Sequence, residues 1–571
     1  MKQLIIAEKP SVAQSIAAVL GAPQKRKDYI ECGDYLISWC YGHLTSLADA
    51  DAYDASYKKW SLEQLPILPD PFQFKAHEDK QKQFASLRTL MRRTDVATII
   101  NACDAGREGE LIFRTVYTLA GCKKPVLRLW ISSMEDTAIR AGFQKLRSSA
   151  DFDGLYQSAL CRAKADWLVG INATRFFSLQ YGQTLNIGRV MSPTLALLVE
   201  REAEIKAFEP EQYFTVQLAL GFNAVSERIP TKAQAEDLAS ASKGNSATVL
   251  DVTNIEKTES APKLFDLTAL QREANQHLGY TAQQTLDYLQ ALYEKKLCTY
   301  PRTDSRYIPD EMAANVPTLA AISASVCNVK LPGKLMSEQI CDSKKVTDHH
   351  AILPTSSVSQ FNLTSLPDME QKLLQLICHR VVLSLCPPHR HLETIATLTC
   401  ADHTFTARGR QIIDQGWRAY EAPSEVITLP LLAQDQTLEV RSASVKAGTT
   451  KPPKHHTEAT LLAAMENIVH ANTSSERRGI GTPATRAGII DKLVRLRFIE
   501  RKRSNGTTHL VPTTKGIDLI AVLPEHLRSP QLTAEWEQEL KMIEAGALSP
   551  DAFLRDISQM LQNLVSTYQR I

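Results

Sequence analysis

Two strand-rich stretches, residues 208–260 and 390–450, stand on either side of a long helical block, 263–387, and helical segments flank both. This order constrains the fold more than any other feature. The strand-like runs are short: Tyr213–Leu220 and Ala247–Val252 around the polar stretch Ala239–Ser246, then Glu393–Cys400 and Thr404–Ala407. Short strands cannot bury their apolar faces singly. Pairing between the two stretches would satisfy them and carry the helical block outward on two legs. At 571 residues the chain is also too long for a single core. The periodicity therefore predicts four units: 1–152; 153–207 with 455–571; 208–262 with 388–454; and 263–387. The fold class is multidomain, α/β at the start and α plus β thereafter.

The first unit alternates strands and helices. Gln3–Ala7, Tyr35–Trp39, Ala97–Ala102 and Val126–Ile131 read as strands, and Ser11–Leu20 as a helix with Ser11 as its N-cap. Alternation at these lengths predicts a partly parallel sheet, with functional residues at the strand ends where loops gather. Two strand ends are acidic. Glu8 follows the first strand, and Asp104 and Glu108 follow Ala97–Ala102, with Gly106 and Gly109 interleaved. Carboxylates converging on a tight loop suit a hard cation such as Mg²⁺; a solvated acidic turn is the alternative. Lys9, beside Glu8, can hold a phosphate oxygen.

In the helical block, Leu297-Cys298-Thr299-Tyr300-Pro301-Arg302-Thr303-Asp304-Ser305 places a phenol two residues before a guanidinium. A tyrosine hydroxyl has an ordinary pKa of about 10 and is a poor nucleophile at neutral pH. A fixed cation favours the phenolate and balances charge on an attacked phosphate.

The charge balance, 65 Lys plus Arg against 63 Asp plus Glu, argues against coating nucleic acid by bulk charge, so a nucleic-acid site must be a local channel. Arg162, Arg175 and Arg189 with Asn186, Ser192 and Thr194, and Lys58-Lys59-Trp60, offer cations, polar donors and a stacking surface. Pro483–Leu496 followed by Phe498-Ile499 and His509–Pro512, with Arg495, Arg497, Arg501, Lys502 and Arg503 nearby, reads as a winged-helix-like unit or as a solvated basic loop. The 11 cysteines form no C-x-x-C pair, which excludes a zinc ribbon and suits buried thiols in a reducing compartment. There is no phosphate-loop signature, so no nucleotide-driven motor is expected. Gly479-Ile480-Gly481 follows no apolar strand and is not a dinucleotide loop. The longest apolar run, Leu373–Leu385, is broken by His379 and Arg380, so no membrane span is expected.

Glu8-Lys9-Pro10-Ser11 with Asp104-Ala105-Gly106-Arg107-Glu108-Gly109-Glu110 resembles the Toprim domain of type IA DNA topoisomerases, and the Tyr300 segment resembles their active-site tyrosine motif. Further ordered similarities run along nearly the whole chain: Arg128–Ser133, Ala165–Arg175, Gly188–Leu195, Phe265–Leu267, His349–Ile352, Thr457–Thr460 and Gly481–Arg486. The proline after Tyr300 and the lack of zinc ribbons are most similar to the topoisomerase III branch. The resemblance implies a Toprim domain with Rossmann-like topology in a toroidal arrangement of helical and β-rich units. It implies ATP-independent cleavage of one strand, with Tyr300 linked to the 5′ side, then strand passage and religation. Arg302 would stabilise the phosphotyrosine and Lys9 the scissile phosphate. Glu8 would exchange a proton with the 3′ oxygen, and His349 would lie near the cleavage site. Glu8, Asp104 and Glu108 would neighbour Mg²⁺. Single-stranded DNA would run along Trp60, Arg162, Asp166, Arg175, Asn186, Ile187, Gly188, Arg189, Val190, Met191, Ser192 and Arg302.

Two departures stand out. Gly106 replaces an acidic residue of many members, removing one possible metal ligand. Met191 replaces a glutamine, exchanging base-edge hydrogen bonding for apolar contact. A bacterial cytoplasmic or nucleoid monomer is expected, with a helicase or single-strand-binding protein as a possible partner. Two other functions share parts of the pattern: a Toprim nuclease or primase-like enzyme, which needs no Tyr300, and a non-catalytic single-strand binder, which would leave supercoils unchanged.

Overall fold

A computed structural model describes residues 1–346, 349–423, 425–468 and 479–568. The first unit contains β1 (Lys2–Ala7), α1 (Pro10–Leu20), β2 (Gln24–Lys25), β3 (Ile30–Cys32), β4 (Tyr35–Trp39), β5 (Thr45–Leu47), β6 (Phe74–Ala76), α2 (Gln81–Arg92), β7 (Val96–Ala102), α3 (Arg107–Leu119), β8 (Val126–Arg128), α4 (Asp136–Gln144) and β9 (Arg147–Ser148). Seven strands form one sheet in the order β2-β3-β4-β1-β7-β8-β9. β1 runs parallel to both β4 and β7, with Ala7 level with Trp39 on one side and Ala102 on the other. Glu8 and Asp104 therefore leave the same edge of the sheet.

Both faces of the central strands are covered, which explains their continuous apolar runs. On one face, α1 packs Val12, Ala13 and Ile16 against Ile5, Ile37 and Ile100. On the other, Phe84, Leu87 and Met91 of α2 and Ile112, Phe113 and Val116 of α3 cover Leu4, Ile6 and Ile99. Two sequence expectations need correction here. Helix α1 starts at Pro10, and its N-cap is Lys9 without a side-chain cap bond, so Ser11 caps nothing. Proline's fixed φ and missing N–H suit a first helical position. The strand expected at Val126–Ile131 ends at Arg128, whose side chain turns into the interior (see below).

The long helix α5 (Asp153–Tyr181) and α6 (Met191–Ala207) follow. Next come β10 (Gln212–Ala219), β11 (Asn223–Ser226), α7 (Lys232–Ser242) and β12 (Ser246–Glu259). Helix α7 takes up half of the polar stretch that the sequence left unassigned. Thr231 caps it through the Gln234 N–H, and Ala235 and Leu238 turn inward. The helical block holds α8 (Leu267–Leu278), α9 (Ala282–Glu294), α10 (Val316–Cys327) and α11 (Asp368–Ser384). After it, β13 (His389–Cys400), β14 (His403–Asp414), β15 (Thr437–Glu439) and β16 (Ser442–Thr449) return to the second sheet, ordered β15-β12-β13-β14-β11-β10-β16. β12 and β13 pair antiparallel from Thr248 opposite Thr399 to Glu259 opposite His389. The helical block is thus spliced between two neighbouring strands of one sheet.

The last part comprises α12 (Glu458–Glu466), α13 (Pro483–Arg495), β17 (Ile499–Ser504), β18 (Thr507–Pro512), α14 (Thr514–Val522), α15 (Glu525–Arg528), α16 (Pro530–Glu544) and α17 (Pro550–Tyr568). One hydrophobic core joins these elements to α5 and α6, through residues such as Phe176, Leu195, Leu462, Ile490, Phe498, Trp536 and Leu561. Strands β17 and β18 form a hairpin directly after α13, yet its Arg501 is already paired with Glu458 and Asp491. Among the described residues no helix is long and apolar enough to cross a membrane.

Candidate active site

The segment after α9 runs back across the face of the first sheet, and this places Tyr300. Its backbone N–H donates to the Ser132 carbonyl at 3.1 Å. Its ring packs into the same apolar cluster as α1, edge-on to Tyr293 at 5.7 Å and against the His349 imidazole at 4.2 Å between centroids. Arg302 stands beside the hydroxyl and favours its charged form. Burial and the nearby Asp104 carboxylate raise the phenol well above its ordinary pKa, and Arg302 opposes them. The phenol is therefore protonated at neutral pH.

Glu8 and Asp104 meet at the sheet edge. Both are buried, and the Asp104 N–H donates to Glu8 Oε2 at 3.2 Å. Burial, and then the charge of Asp104, push Glu8 up to about 7. Burial likewise raises Asp104, with Arg302, Lys9 and Arg128 opposing it. Arg302 Nη1 reaches Asp104 Oδ2 at 3.5 Å and Gln290 Oε1 at 3.3 Å. Lys9 Nζ pairs with Glu294 Oε1 at 3.2 Å, and Gln290 Nε2 donates to the same oxygen at 3.0 Å. Gln290 and Glu294 lie one turn apart on α9, so this helix positions both cations. Nothing in the sequence distinguished them from ordinary surface residues.

The Asp104 loop is held from beneath. The fully buried Arg128 pairs with Glu110 Oε1 at 2.7 Å and donates to the carbonyls of Cys103 (2.6 Å) and Asp104 (2.8 Å). Asn101 Nδ2 completes the network by donating to Glu110 at 2.9 Å. A Cβ on Gly109 would lie 1.9 Å from the Asp104 carbonyl oxygen, so only glycine lets α3 approach this closely. Gly106 has φ +151°, a conformation that strains any residue with a side chain.

His349 Nε2 hydrogen-bonds the Ala105 carbonyl and so carries the proton, while Nδ1 accepts from the Ser132 hydroxyl at 2.9 Å. Burial pushes His349 down to about 4. An unfolded histidine titrates near 6.5. The stability this neutral ring contributes is therefore present above that value and is lost as pH falls toward 4. Between pH 7 and 5 the loss is on the order of 1–2 kcal/mol. Comparing melting temperatures across this range should show that His349→Gln removes that part of the pH dependence.

The remaining sequence-predicted residues divide. Arg162 and Glu108 line a cavity of about 160 Å³ with Tyr300, Arg302, Asp304 and His349. Glu108 is exposed and points to His43, whose Nε2 lies 2.8 Å from its Oε1. Among the described residues no three His, Cys, Asp or Glu side chains are gathered as a ready metal cage. The residues nevertheless suit a hard cation, because two carboxylates are buried side by side and the charge of Asp104 raises the proton affinity of Glu8. Arg189 is buried and pairs with Asp166 at 2.8 Å. Arg175 donates to the Tyr57 carbonyl and lies 5.4 Å over the Trp60 ring. Ile187, Val190 and Met191 are packed in the core. Ser192 is buried, and its hydroxyl accepts from the Gly188 N–H at 3.3 Å; Asn186 is half-buried. The segment 186–192 thus offers backbone and Arg189 more than apolar side chains.

Comparison with known proteins agrees with this arrangement. Residues 3–134 match the Toprim domain family and residues 150–555 match the DNA topoisomerase family. DNA topoisomerase 3 of Bacillus subtilis is 40% identical, over 97% of this chain and 80% of that one. DNA topoisomerase 3 of Bacillus licheniformis is 39% identical, over 99% and 81%. The crystal structure of full-length topoisomerase I from Thermotoga maritima superposes with a TM-score of 0.77 at 24% identity, covering 97% of this chain and 89% of that one. A Toprim sheet edge, a distant tyrosine segment docked upon it and these matches together show that the chain belongs to the DNA topoisomerase family, as a type IA, topoisomerase III-like member.

Proposed function

We propose that Tyr300 is the nucleophile of a reversible single-strand break and that Glu8, Lys9, Asp104, Arg302 and His349 surround the scissile phosphate. The observation carrying this reading is the docking of Tyr300 and Arg302, from the middle of the chain, against Glu8 and Asp104 at its start. In the forward step Tyr300 Oη releases its proton to solvent and bonds to phosphorus, the bond from phosphorus to the 3′ oxygen breaks, and a proton from Glu8 ends on that oxygen. The product is a 5′-phosphotyrosine and a free 3′ hydroxyl. The reverse attack restores the strand, so no nucleotide is consumed. Arg302 offsets charge on the phenolate and the phosphoryl oxygens, and Lys9 faces the same group. Glu8, at about 7, exchanges a proton readily at neutral pH, as the 3′ oxygen requires. Glu8 and Asp104 would hold Mg²⁺, with Glu108 reaching in when released from His43. When bound, the ion would supply positive charge beside the phosphate.

Strand passage requires the block 263–387 to separate from the Toprim unit 1–152 and from 153–207 with 455–571, the β-rich unit 208–262 with 388–454 serving as hinge. Single-stranded DNA reaching Tyr300 would pass Arg162, Arg189, Trp60 and Arg175. The decisive test is negatively supercoiled plasmid with Mg²⁺ and no nucleotide. A ladder of intermediate topoisomers is expected; nicked or linear product alone would favour a nuclease. Gly109→Ala should shift the Asp104 loop and lower oligonucleotide cleavage on the order of 10²-fold, as measured by gel.

A further inference from the structure

Beside the Tyr300 cavity lies a charge cluster whose acidic member, Glu537, takes no part in the chemistry above. Glu537, on α16, sits among three guanidinium groups from three separate segments. Arg189 Nη2 and Arg162 Nε lie 3.1 and 4.0 Å from Oε1, and Arg107 Nη1 lies 3.9 Å from Oε2. Arg107 opens α3 and Arg162 belongs to α5, and both line the cavity that contains Tyr300, Arg302 and His349. Their outer sides are held by other acids. Asp166 pairs with Arg189 at 2.8 Å and stands 4.0 Å from Arg162, and Glu544 lies 3.0 Å from Arg107.

The donors outnumber what Glu537 accepts. Arg107 Nη1 and Arg189 Nη1 are buried with no hydrogen-bond partner among the described residues, although the Arg189 side chain is only 2% exposed. Buried donors are ordinarily satisfied, and leaving one unmet is costly. A carboxylate offers two coplanar oxygens, too few for three guanidinium forks approaching from different directions. A phosphodiester presents a tetrahedral set of oxygens with the same charge, to which arginine forks are well matched.

We infer that, in the DNA-free chain, the Glu537 carboxylate occupies the phosphate subsite formed by Arg107, Arg162 and Arg189 as an internal substitute and is displaced when the strand enters. The inference rests on the reading of Tyr300 as the cleavage centre, since it places this subsite on the strand leaving that centre. Glu537 then lowers the affinity for single strands by competing with their backbone.

The test uses the full chain carrying Tyr300→Phe, so that no covalent adduct forms, and a fluorescent single-stranded oligothymidylate. Binding is followed by anisotropy over a salt series. Adding Glu537→Gln should tighten binding about 5-fold or more, the scale of typical intramolecular couplings. The log–log salt slope should stay as it is, because the displaced carboxylate leaves the number of phosphates neutralised in the complex unchanged. Adding Arg107→Gln instead should weaken binding and flatten the slope by about 0.7. A folded Glu537→Gln protein, by its melting curve, that binds no tighter would overturn the inference. If Glu537→Gln does not fold, unchanged affinity and slope in Arg107→Gln overturns it equally. Failure of the nucleophile assignment shows up separately, as plasmid relaxation that survives Tyr300→Phe.

Discussion

Tyr300→Phe is expected to lower DNA cleavage and relaxation by at least about 10³-fold, with no residual covalent protein–DNA complex. The substitution removes one oxygen. The ring keeps its edge-on contact with Tyr293, its packing on His349 and the backbone bond to Ser132. The fold and the approach of DNA should therefore persist, and only the bond-forming atom is lost. Burial holds the phenol protonated in the DNA-free chain, and Arg302 beside it favours the phenolate that attack requires. Plasmid relaxation with Mg²⁺, beside an oligonucleotide binding measurement, separates loss of chemistry from loss of substrate.

Arg302→Ala should have the next largest effect. Arg302 touches Tyr300 and Asp104 and lowers the proton affinity of Tyr300, Glu8 and Asp104 together. Its removal leaves two buried carboxylates and a phenol, with Lys9 and Arg128 still opposing the rise of Asp104. Losing a donor aimed at developing charge costs about 10²–10³ in rate. Both carboxylates should also hold their protons to higher pH, moving the acid limb of the cleavage rate upward. Arg302→Lys restores charge without the planar guanidinium, whose Nη1 reaches both Asp104 and Gln290, so partial rescue is expected. Quenched-flow cleavage of a labelled oligonucleotide across pH measures both effects.

Much of this site is legible in the sequence because a parallel sheet brings its strand ends to one edge. Once β1 and β7 are neighbours, Glu8 and Asp104 must meet. The Tyr300 motif announces itself through residue chemistry. That it docks on this edge is a long-range fact, which local periodicity cannot give. Arg128 and Glu110 stand in two separate sequence motifs with nothing to link them, yet they are fully buried and pin the Asp104 loop, because each satisfies the other. Glu108 looked equivalent to Asp104, but the first turn of α3 directs it toward His43, which is distant in sequence. Helix α7 was missed because its exposed face is as polar as a loop and only Ala235 and Leu238 mark its buried side. Gln290, Glu294 and Glu537 carry no motif of their own and become visible only through the cations they hold.

The central claim is that the middle of the chain attacks DNA at a site built by its beginning. The measurement that tests it most directly is mass spectrometry of the protein quenched with denaturant during turnover on a single-stranded oligonucleotide, then digested. A peptide containing Tyr300 and carrying the 5′-phosphoryl fragment, with the other fragment ending in a 3′ hydroxyl, is the predicted result. Nucleotide mass on a different residue, or relaxed plasmid with no adduct on any peptide, would contradict it.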